Sequence, residues 1–530
     1  MTAPRFSRAL VSALLLTSSA VLVSIVAGLN GGASPAVAAS WTVYHGDTDG
    51  SGVAAGITSV DLSRRAWTSP VLDGQLYGQP LVSGDHVFVA TENDTVYALN
   101  ASDGAVAWST HLGTPVPSSS LPCGDISPTV GITGTPVIDE TRGEIFVVDD
   151  ELVSGRPAHE LSGLDTGSGK VELHQDVDPG GATPAALLQR TGLTLDAGRV
   201  VFGYGGNYGD CSTYRGWVMS VPEAGGTPAA FGVDTGPGES QGAVWMGGAA
   251  PVIDGAGNIW VSVGNGSVTS SSHAYDDSDS VLELSPALIL LQYFAPSSWA
   301  SDNGRDLDLS TAPALLGDGQ VVAAGKSRIA YLLDAHTLGG VGGQQARLAD
   351  ACGDDIDGGV AVEGTTVYLP CLAGPVAVQA SATPPGLHLL WRSSSGGGPP
   401  AVAGGRVWTI GQDGTVYGLD PATGNVVAQA SVGAVSNHFP TPSFGAGLML
   451  VPTSASVVAF AASGGSTTTT TSGATSTTAH PPTTTGTTAT PASSGSPGLG
   501  RWAIAGIVIG GLAVAGALAW LLSRRRRRAS

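Results

Sequence analysis

The chain has 530 residues, with 22 Lys and Arg against 42 Asp and Glu, a net charge of −20 and 78 glycines. Arg5, Arg8, Arg501 and Arg524 to Arg528 account for eight of the bases, so the residues between them carry 14 bases against 42 acids, about −28. A field of that sign repels phosphate backbones and sets nucleic acid aside as a partner.

Residues 1–39 read as an export signal. Arg5 and Arg8 form a positive start, Ala9 to Leu29 is apolar and uncharged, and Ala36-Val37-Ala38 offers a small-residue cleavage site after Ala38 or Ala39. His45-Gly46-Asp47-Thr48-Asp49-Gly50-Ser51 has the spacing of an oxygen-ligand loop but lacks a distal bidentate Glu, so a Gly/Asp turn ahead of the first repeat is the expectation.

From Trp41 to Ala462 the chain repeats itself. Gln79-Pro80-Leu81-Val82 leads to His86 to Ala90, then Thr95-Val96-Tyr97-Ala98-Leu99, Asp103-Gly104 and Val106-Ala107-Trp108. The same phrase returns as Pro400-Ala401-Val402, Arg406 to Ile410, Thr415 to Asp420, Thr423-Gly424 and Val426 to Ala428. Four short apolar strands separated by Gly/Asp turns make one propeller blade. Weaker copies begin at Gly134 and run near Leu193 to Val221, Ala249 to Phe294, Ala312 to Leu348 and Gly359 to Trp391. Thr441 to Ala461 holds only the first strands of a blade, and Ser59 to Ser69, with Trp67, is expected to supply its last strand and close the ring. The expected fold is all-β, a propeller of eight four-stranded blades with seven as the alternative.

The four cysteines lie within the repeats. Of the three connectivities, Cys123–Cys211 and Cys352–Cys371 are expected, because each pair would join neighbouring or identical repeat units. Two further acidic clusters, Ala274 to Asp279 and Cys352 to Asp357, default to solvated loops, with cation or sugar binding as the functional reading. No zinc spacing, no C-x-x-C-H haem signature and no Ser/His/Asp constellation is present, so no catalytic or metal-binding residue is assigned.

Residues 464–500 are almost entirely Ser, Thr, Pro, Gly and Ala, a composition that cannot offset the entropy of ordering, and read as a disordered stalk. Residues 502–522 are uncharged and long enough for one transmembrane helix, with Trp502 and Trp520 near its ends. Residues 523–530 form an Arg-rich tail that places the propeller on the extracytoplasmic side of a cell membrane, in a single-pass arrangement.

Val96-Tyr97-Ala98-Leu99, Asp103-Gly104 and Trp108 together resemble the PQQ-like repeat of the quinoprotein dehydrogenases (PQQ being pyrroloquinoline quinone) and BamB-type propellers. In that repeat the aromatic sits between neighbouring blades, and the likeness covers nearly all of Trp41 to Ala462. Val263 to Gly266 resembles the segment whose Asn, here Asn265, binds calcium in the quinoprotein alcohol dehydrogenases. Gly325 to Asp334 resembles the segment whose Lys, here Lys326, approaches the quinone. Those two residues are the cofactor-binding candidates that the resemblance implies. The pattern departs where Ser298 and Ala300 stand in place of carboxylates, and where Gly205-Gly206-Asn207 replaces a Glu-bearing segment. The expectation is therefore a non-enzymatic binding scaffold for a surface protein, peptide or glycan, without cofactor. A divergent PQQ- and calcium-dependent oxidoreductase is the alternative. Carboxylates kept at the channel mouth would favour an enzyme, and a plugged apolar channel would favour the scaffold.

Overall fold

The computed structural model describes residues 40–464. The expected signal, stalk, transmembrane helix and tail lie outside the described residues. Among those described, no helix is long and apolar enough to cross a membrane.

The strands pair into eight four-stranded antiparallel blades. Blade 1 comprises Leu81–Ser83, His86–Ala90, Thr95–Asn100 and Val106–His111, from the bore outward. Blades 2 to 7 follow in chain order, ending with Val426–Ser431 as the outer strand of blade 7. Blade 8 takes Ser443–Gly445, Leu448–Pro452 and Val457–Gly464 from one end of the ring and Ile57–Thr68 from the other. Trp67 pairs with Ala459 across that seam, so the expected ring closure and the count of eight are borne out. Second strands such as His86–Ala90 are buried on both faces, whereas outer strands alternate between exposed and half-buried residues. The pattern follows from position: inner strands are covered by the neighbouring blades, and the outer strand faces solvent on one side.

Blades dock through a repeated contact. The Trp67 indole N–H donates to the Ala101 carbonyl at 2.8 Å, Trp108 to Thr166 at 3.0 Å and Trp391 to Pro421 at 2.8 Å. In each case the acceptor belongs to the outer turn of the following blade, and the indole covers that turn's glycine. A Cβ on Gly104, Gly169 or Gly424 would lie 2.5, 2.5 and 2.4 Å from the ring. All three glycines also hold φ near +70°, where L side chains are strained. Asp-Gly and Thr-Gly therefore precede the tryptophan in the repeat for a packing reason as well as a turning one. In blades 2 and 4 the matching positions hold Leu173, against Gly225, and Gln292, which donates to the Ala335 carbonyl at 2.8 Å.

The bore is filled from within. Trp41 pairs with Val82, the Thr42 carbonyl accepts from Ile138, Thr48 from Ile253, Ser51 from Val362 and Gly52 from Val402. Those partners stand on or beside the innermost strands of blades 1, 2, 4, 6 and 7, so residues 41–54 lace the inside of the ring. Trp41, Val43, Tyr44 and His45 are buried. The His45 ring bonds the Val360 carbonyl at 2.8 Å, and burial pushes its pKa down to about 4, so it is neutral. A void of about 10 Å³, the order of one water, is left beside Tyr44 and His45. His45 to Ser51 is a turn held by the Asp47 carboxylate, which accepts from the Ser51 amide at 2.7 Å.

The disulfides Cys123–Cys211 and Cys352–Cys371 are the expected pairs. They close loops of 88 and 19 residues, worth roughly 4–5 and 3 kcal/mol of unfolded-chain entropy.

If the indole dock carries the inter-blade energy, Trp391→Ala should cost roughly 3–5 kcal/mol. Gly424→Ala, which adds a single methyl, should also destabilise the ring by more than the roughly 0.5 kcal/mol of an ordinary surface change. Equilibrium denaturation of the two variants checks both values; a Gly424→Ala protein as stable as the parent would remove the glycine from the argument.

Candidate functional site

In an antiparallel meander the connections between second and third strands, and those from blade to blade, emerge on one face. That loop face carries both disulfides and the long connections, where binding residues concentrate. Its centre is built around Asp308, which lies in the connection from blade 4 to blade 5. The Asp308 carboxylate accepts from the Asn265 amide at 2.6 Å and pairs with the Lys326 ammonium at 2.7 Å. Lys326 also reaches Asp306 at 3.0 Å. Gly264 makes this possible, because a Cβ there would stand 2.8 Å from the Asp308 oxygen. Burial pushes the Asp308 carboxyl upward, with Lys326 opposing. Burial also works against the Lys326 ammonium, but Asp308 and Asp306 outweigh it and hold the charge on.

An aromatic and cationic group adjoins this pair. The Lys326 ammonium lies 5.3 Å from the Trp245 ring, and Trp245 meets Phe439 edge-on at 6.0 Å. Arg190 is buried between Phe439, at 5.3 Å, and Tyr77, at 5.9 Å. Such cation–ring contacts are worth about 0.5–2 kcal/mol each. The His438 ring meets Phe439 at a tilt of 46°, and burial pushes its pKa down to about 4, with Arg190 adding to the effect. A Cβ on Gly248 would strike the Arg190 guanidinium at 2.3 Å, so the glycine makes room for the buried cation.

Both residues singled out by resemblance, Asn265 and Lys326, thus meet on the loop face around one carboxylate. Ser298 and Ala300 do not join them; they belong to the segment around the short helix Trp299–Asn303, and Ser298 bonds Asp302. The carboxylate beside Asn265 and Lys326 comes from Asp308, further along the chain. Asn207 turns away, donating its side-chain amide to the Ala185 carbonyl at 3.0 Å. Trp245, Arg190 and Asp308 are the residues that sequence reasoning missed. The Gln241 to Gly248 run, glycine-rich around a lone Trp, was the signal for the first.

A family model described as outer membrane protein assembly factor BamB matches residues 53–216 and 326–496, more than half of the chain. The chain belongs to that family. No curated protein sequence matches it. Solved structures with the same fold include the quinohemoprotein alcohol dehydrogenase of Comamonas testosteroni, at 14% identity and a TM-score of 0.59 over 80% of each chain. A europium-containing methanol dehydrogenase reaches 14% identity and 0.57 over 80% of this chain and 98% of its own. BamB from Moraxella catarrhalis reaches 14% identity and 0.50 over 74% and 98%. At these identities the likeness is one of fold.

Within this BamB-family propeller, the residues at the loop-face centre do not fit a calcium-bound quinone. Asp308 has one oxygen on Asn265 and the other on Lys326. The buried free oxygens beside this centre belong to Asp234, Asp276 and Asp279, on carboxyls that burial pushes upward. No three such carboxylates surround one point among the described residues, so the six to eight oxygens that calcium takes are not assembled there. On the opposite face a groove of about 620 Å³ runs between blades 4 and 5, with Asp254, Glu283, Gln292, Gln320 and His336 in its lining.

The Lys326–Asp308 pair makes a stability prediction. Lys326→Met leaves Asp308 buried beside Asn265 without its cation and should cost roughly 3–5 kcal/mol. Adding Asp308→Asn to that variant should recover most of the loss. Chemical denaturation of the single and double variants reads the coupling, and additive losses would show that the pair is not the stabilising unit.

Proposed function

We propose that this protein is a non-catalytic binding module, held on the extracytoplasmic side of a cell membrane by a single helix at 502–522 and raised on the 464–500 stalk. The observation that supports the reading best is the laced bore: residues 41–54 occupy the space through which a ring could pass or enclose a substrate. What remains for recognition is the loop face, where half-buried Trp245 and Phe439 stand among Arg190, Lys326 and several acids. Aromatic and Arg side chains are the usual anchors of protein interfaces, and aromatic faces also stack on sugars. The family description, an assembly factor for outer membrane proteins, agrees with a protein partner. A surface protein, peptide or glycan is therefore the expected occupant, with no cofactor.

One observation favours a second reading, a divergent quinone-dependent oxidoreductase: Asn265, Asp308, Lys326 and Trp245 converge on one face. Against it stand the engaged Asp308 oxygens, which leave no free base for proton abstraction.

The two readings separate in a calorimetric titration of the detergent-solubilised full chain with PQQ, with and without calcium, using calcium alone as reference. The scaffold reading expects no saturable PQQ binding up to millimolar ligand. Saturable, calcium-dependent binding of the quinone would overturn it and make the loop-face centre a cofactor site.

A further inference from the structure

A second region of the loop face carries an unexplained charge problem, between blades 1 and 2. Blade 1 turns from its second to its third strand through Thr91-Glu92-Asn93-Asp94, and blade 7 makes the same turn through Gly411-Gln412-Asp413-Gly414. The backbones correspond: Asp94 donates to the Thr91 carbonyl at 3.1 Å and Gly414 to the Gly411 carbonyl at 3.0 Å, with φ of 51° and 72°. Blade 1 therefore places a carboxylate where the plain repeat uses glycine, at a φ that disfavours it, and replaces the Gln by Glu92.

That carboxylate points inward. Asp94 is wholly buried, and neither of its oxygens has a hydrogen-bond partner. Gly131, on the connection to blade 2, admits it; a Cβ there would lie 2.5 Å from Asp94 Oδ1. The Gly131 amide donates to Glu92 at 2.8 Å, and the Gly131 carbonyl accepts from the Asp150 amide at 3.2 Å. The hairpin Glu144–Val153 and Arg156–Asp165 carries Asp150, which makes that bond, and its neighbour Asp149, whose charge acts on Asp94. Asp149 is also wholly buried, with Oδ2 free, and Glu92, almost fully buried, has Oε1 free.

Three buried carboxylates thus turn four unpartnered oxygens into one region. No Lys or Arg forms an ion pair with any of them among the described residues. The buried His159 is already held by Asp150 at 2.6 Å and Asp178 at 2.7 Å. Leaving buried carboxylates uncompensated costs several kcal/mol each. Two remedies exist: the acids take up protons, or a cation sits among them. Without a cation, burial first and neighbouring carboxylates second push Glu92 up to about 7, Asp94 up to about 11 and Asp149 well above the carboxylate range, with Asp150 acting on all three and Asp149 and Glu92 acting on Asp94. Protonation alone gives no reason for the strained Asp94 where glycine serves, since an acid kept neutral there still lacks an acceptor.

We propose that Asp94 and Asp149, with Glu92 beside them, form a binding site for a hard divalent cation of the calcium class that ties blade 2's projecting hairpin to blade 1. No three such side chains among the described residues already surround one point. The two aspartates are accordingly the protein's charged ligands, and carbonyls, hydroxyls and water complete the oxygen shell that calcium takes. The site is separate from the Asn265–Asp308–Lys326 centre and needs no quinone.

The test is a calorimetric titration of the solubilised full chain, first stripped with chelator, with calcium chloride alone, together with thermal unfolding at each calcium concentration. The parent should bind one ion saturably and unfold at higher temperature as calcium rises. Asp94→Gly, which restores the residue that blade 7 uses and so preserves the turn, should weaken binding by at least about tenfold. Asp149→Asn should do the same, and Glu363→Gln, an exposed acid on blade 6, should leave binding as in the parent. No saturable binding by the parent at millimolar calcium would overturn the proposal. So would undiminished binding by Asp94→Gly, or loss of binding in Glu363→Gln in its place.

Discussion

The structure depends on one contact above others, the indole of an outer strand lying over the glycine turn of the next blade. A blade alone is a four-stranded sheet with two exposed faces and cannot bury enough apolar surface to be stable. Its inner strands become core only when the neighbour covers them, as the complete burial of Val87, Phe88, Val407 and Trp408 shows. The indole does this at the outer rim, where burial is thinnest, and its N–H satisfies a turn carbonyl that the neighbouring blade would otherwise leave open. The contact is directional, running from one blade to the next at three joints, with Leu173 and Gln292 in the same position in blades 2 and 4.

A ring built this way has an edge problem at its seam and a hollow at its centre. Both are solved by the residues that precede blade 1. Ile57–Thr68 completes blade 8 and carries Trp67 to the turn of blade 1, so the seam uses the same dock as the joints from blade 1 to 2 and from blade 6 to 7. Residues 41–54 take up donors beside the innermost strands, which at the bore have no further strand to pair with. Closing the ring and filling the bore are thus continuous in the chain. The consequence for function is that the faces, and above all the loop face, hold the surface on which selection can act.

Much of this was legible in the sequence, and the reason is geometric. Blade 1 announces itself because its Tyr, Trp and Gly residues fill the strand and docking positions, and blade 7 because it repeats the Tyr and the Thr-Gly turn, with Ala428 where Trp108 stands in blade 1. Trp67 could be assigned to blade 8 because a last strand was missing there. The middle blades are harder to read, since Leu173 and Gln292 stand where Trp would mark the outer strand. The cysteine pairing followed from the repeats being adjacent. The loop-face centre was only half legible. Asn265 and Lys326 were found by resemblance, but Asp308 was not, because the turns around Trp299–Asn303 carry the carboxylate further along the chain than the pattern suggests. Buried acids were the least legible of all: in a chain with 42 acids, nothing local separates Asp94 from a surface residue. Only aligning its turn with that of blade 7, where Gly414 stands, picks it out.

The loop face therefore holds two buried charge groups of opposite kind. The Asp308 carboxylate has its counter-charge, and the cost of its desolvation is offset by Lys326 and the Asn265 backbone amide. Such a group fixes the relation between blades 3, 4 and 5 and leaves Trp245 and Phe439 in a set geometry. Around Asp94 the charges share one sign, and the hairpin that carries Asp149 stands beyond the ring, held by few backbone bonds to blade 1. Repulsion there works against docking the hairpin unless protons or an ion intervene. The Asp308–Lys326 pair is accordingly compensated by the chain's own residues, and the Asp94 group depends on what the surrounding solution supplies. The joint between blades 1 and 2 is thus docked by Trp108 over Gly169 at its outer rim and carries these unpaired acids on its loop face, beside the Glu92, Tyr77 and Arg190 edge of the candidate recognition surface.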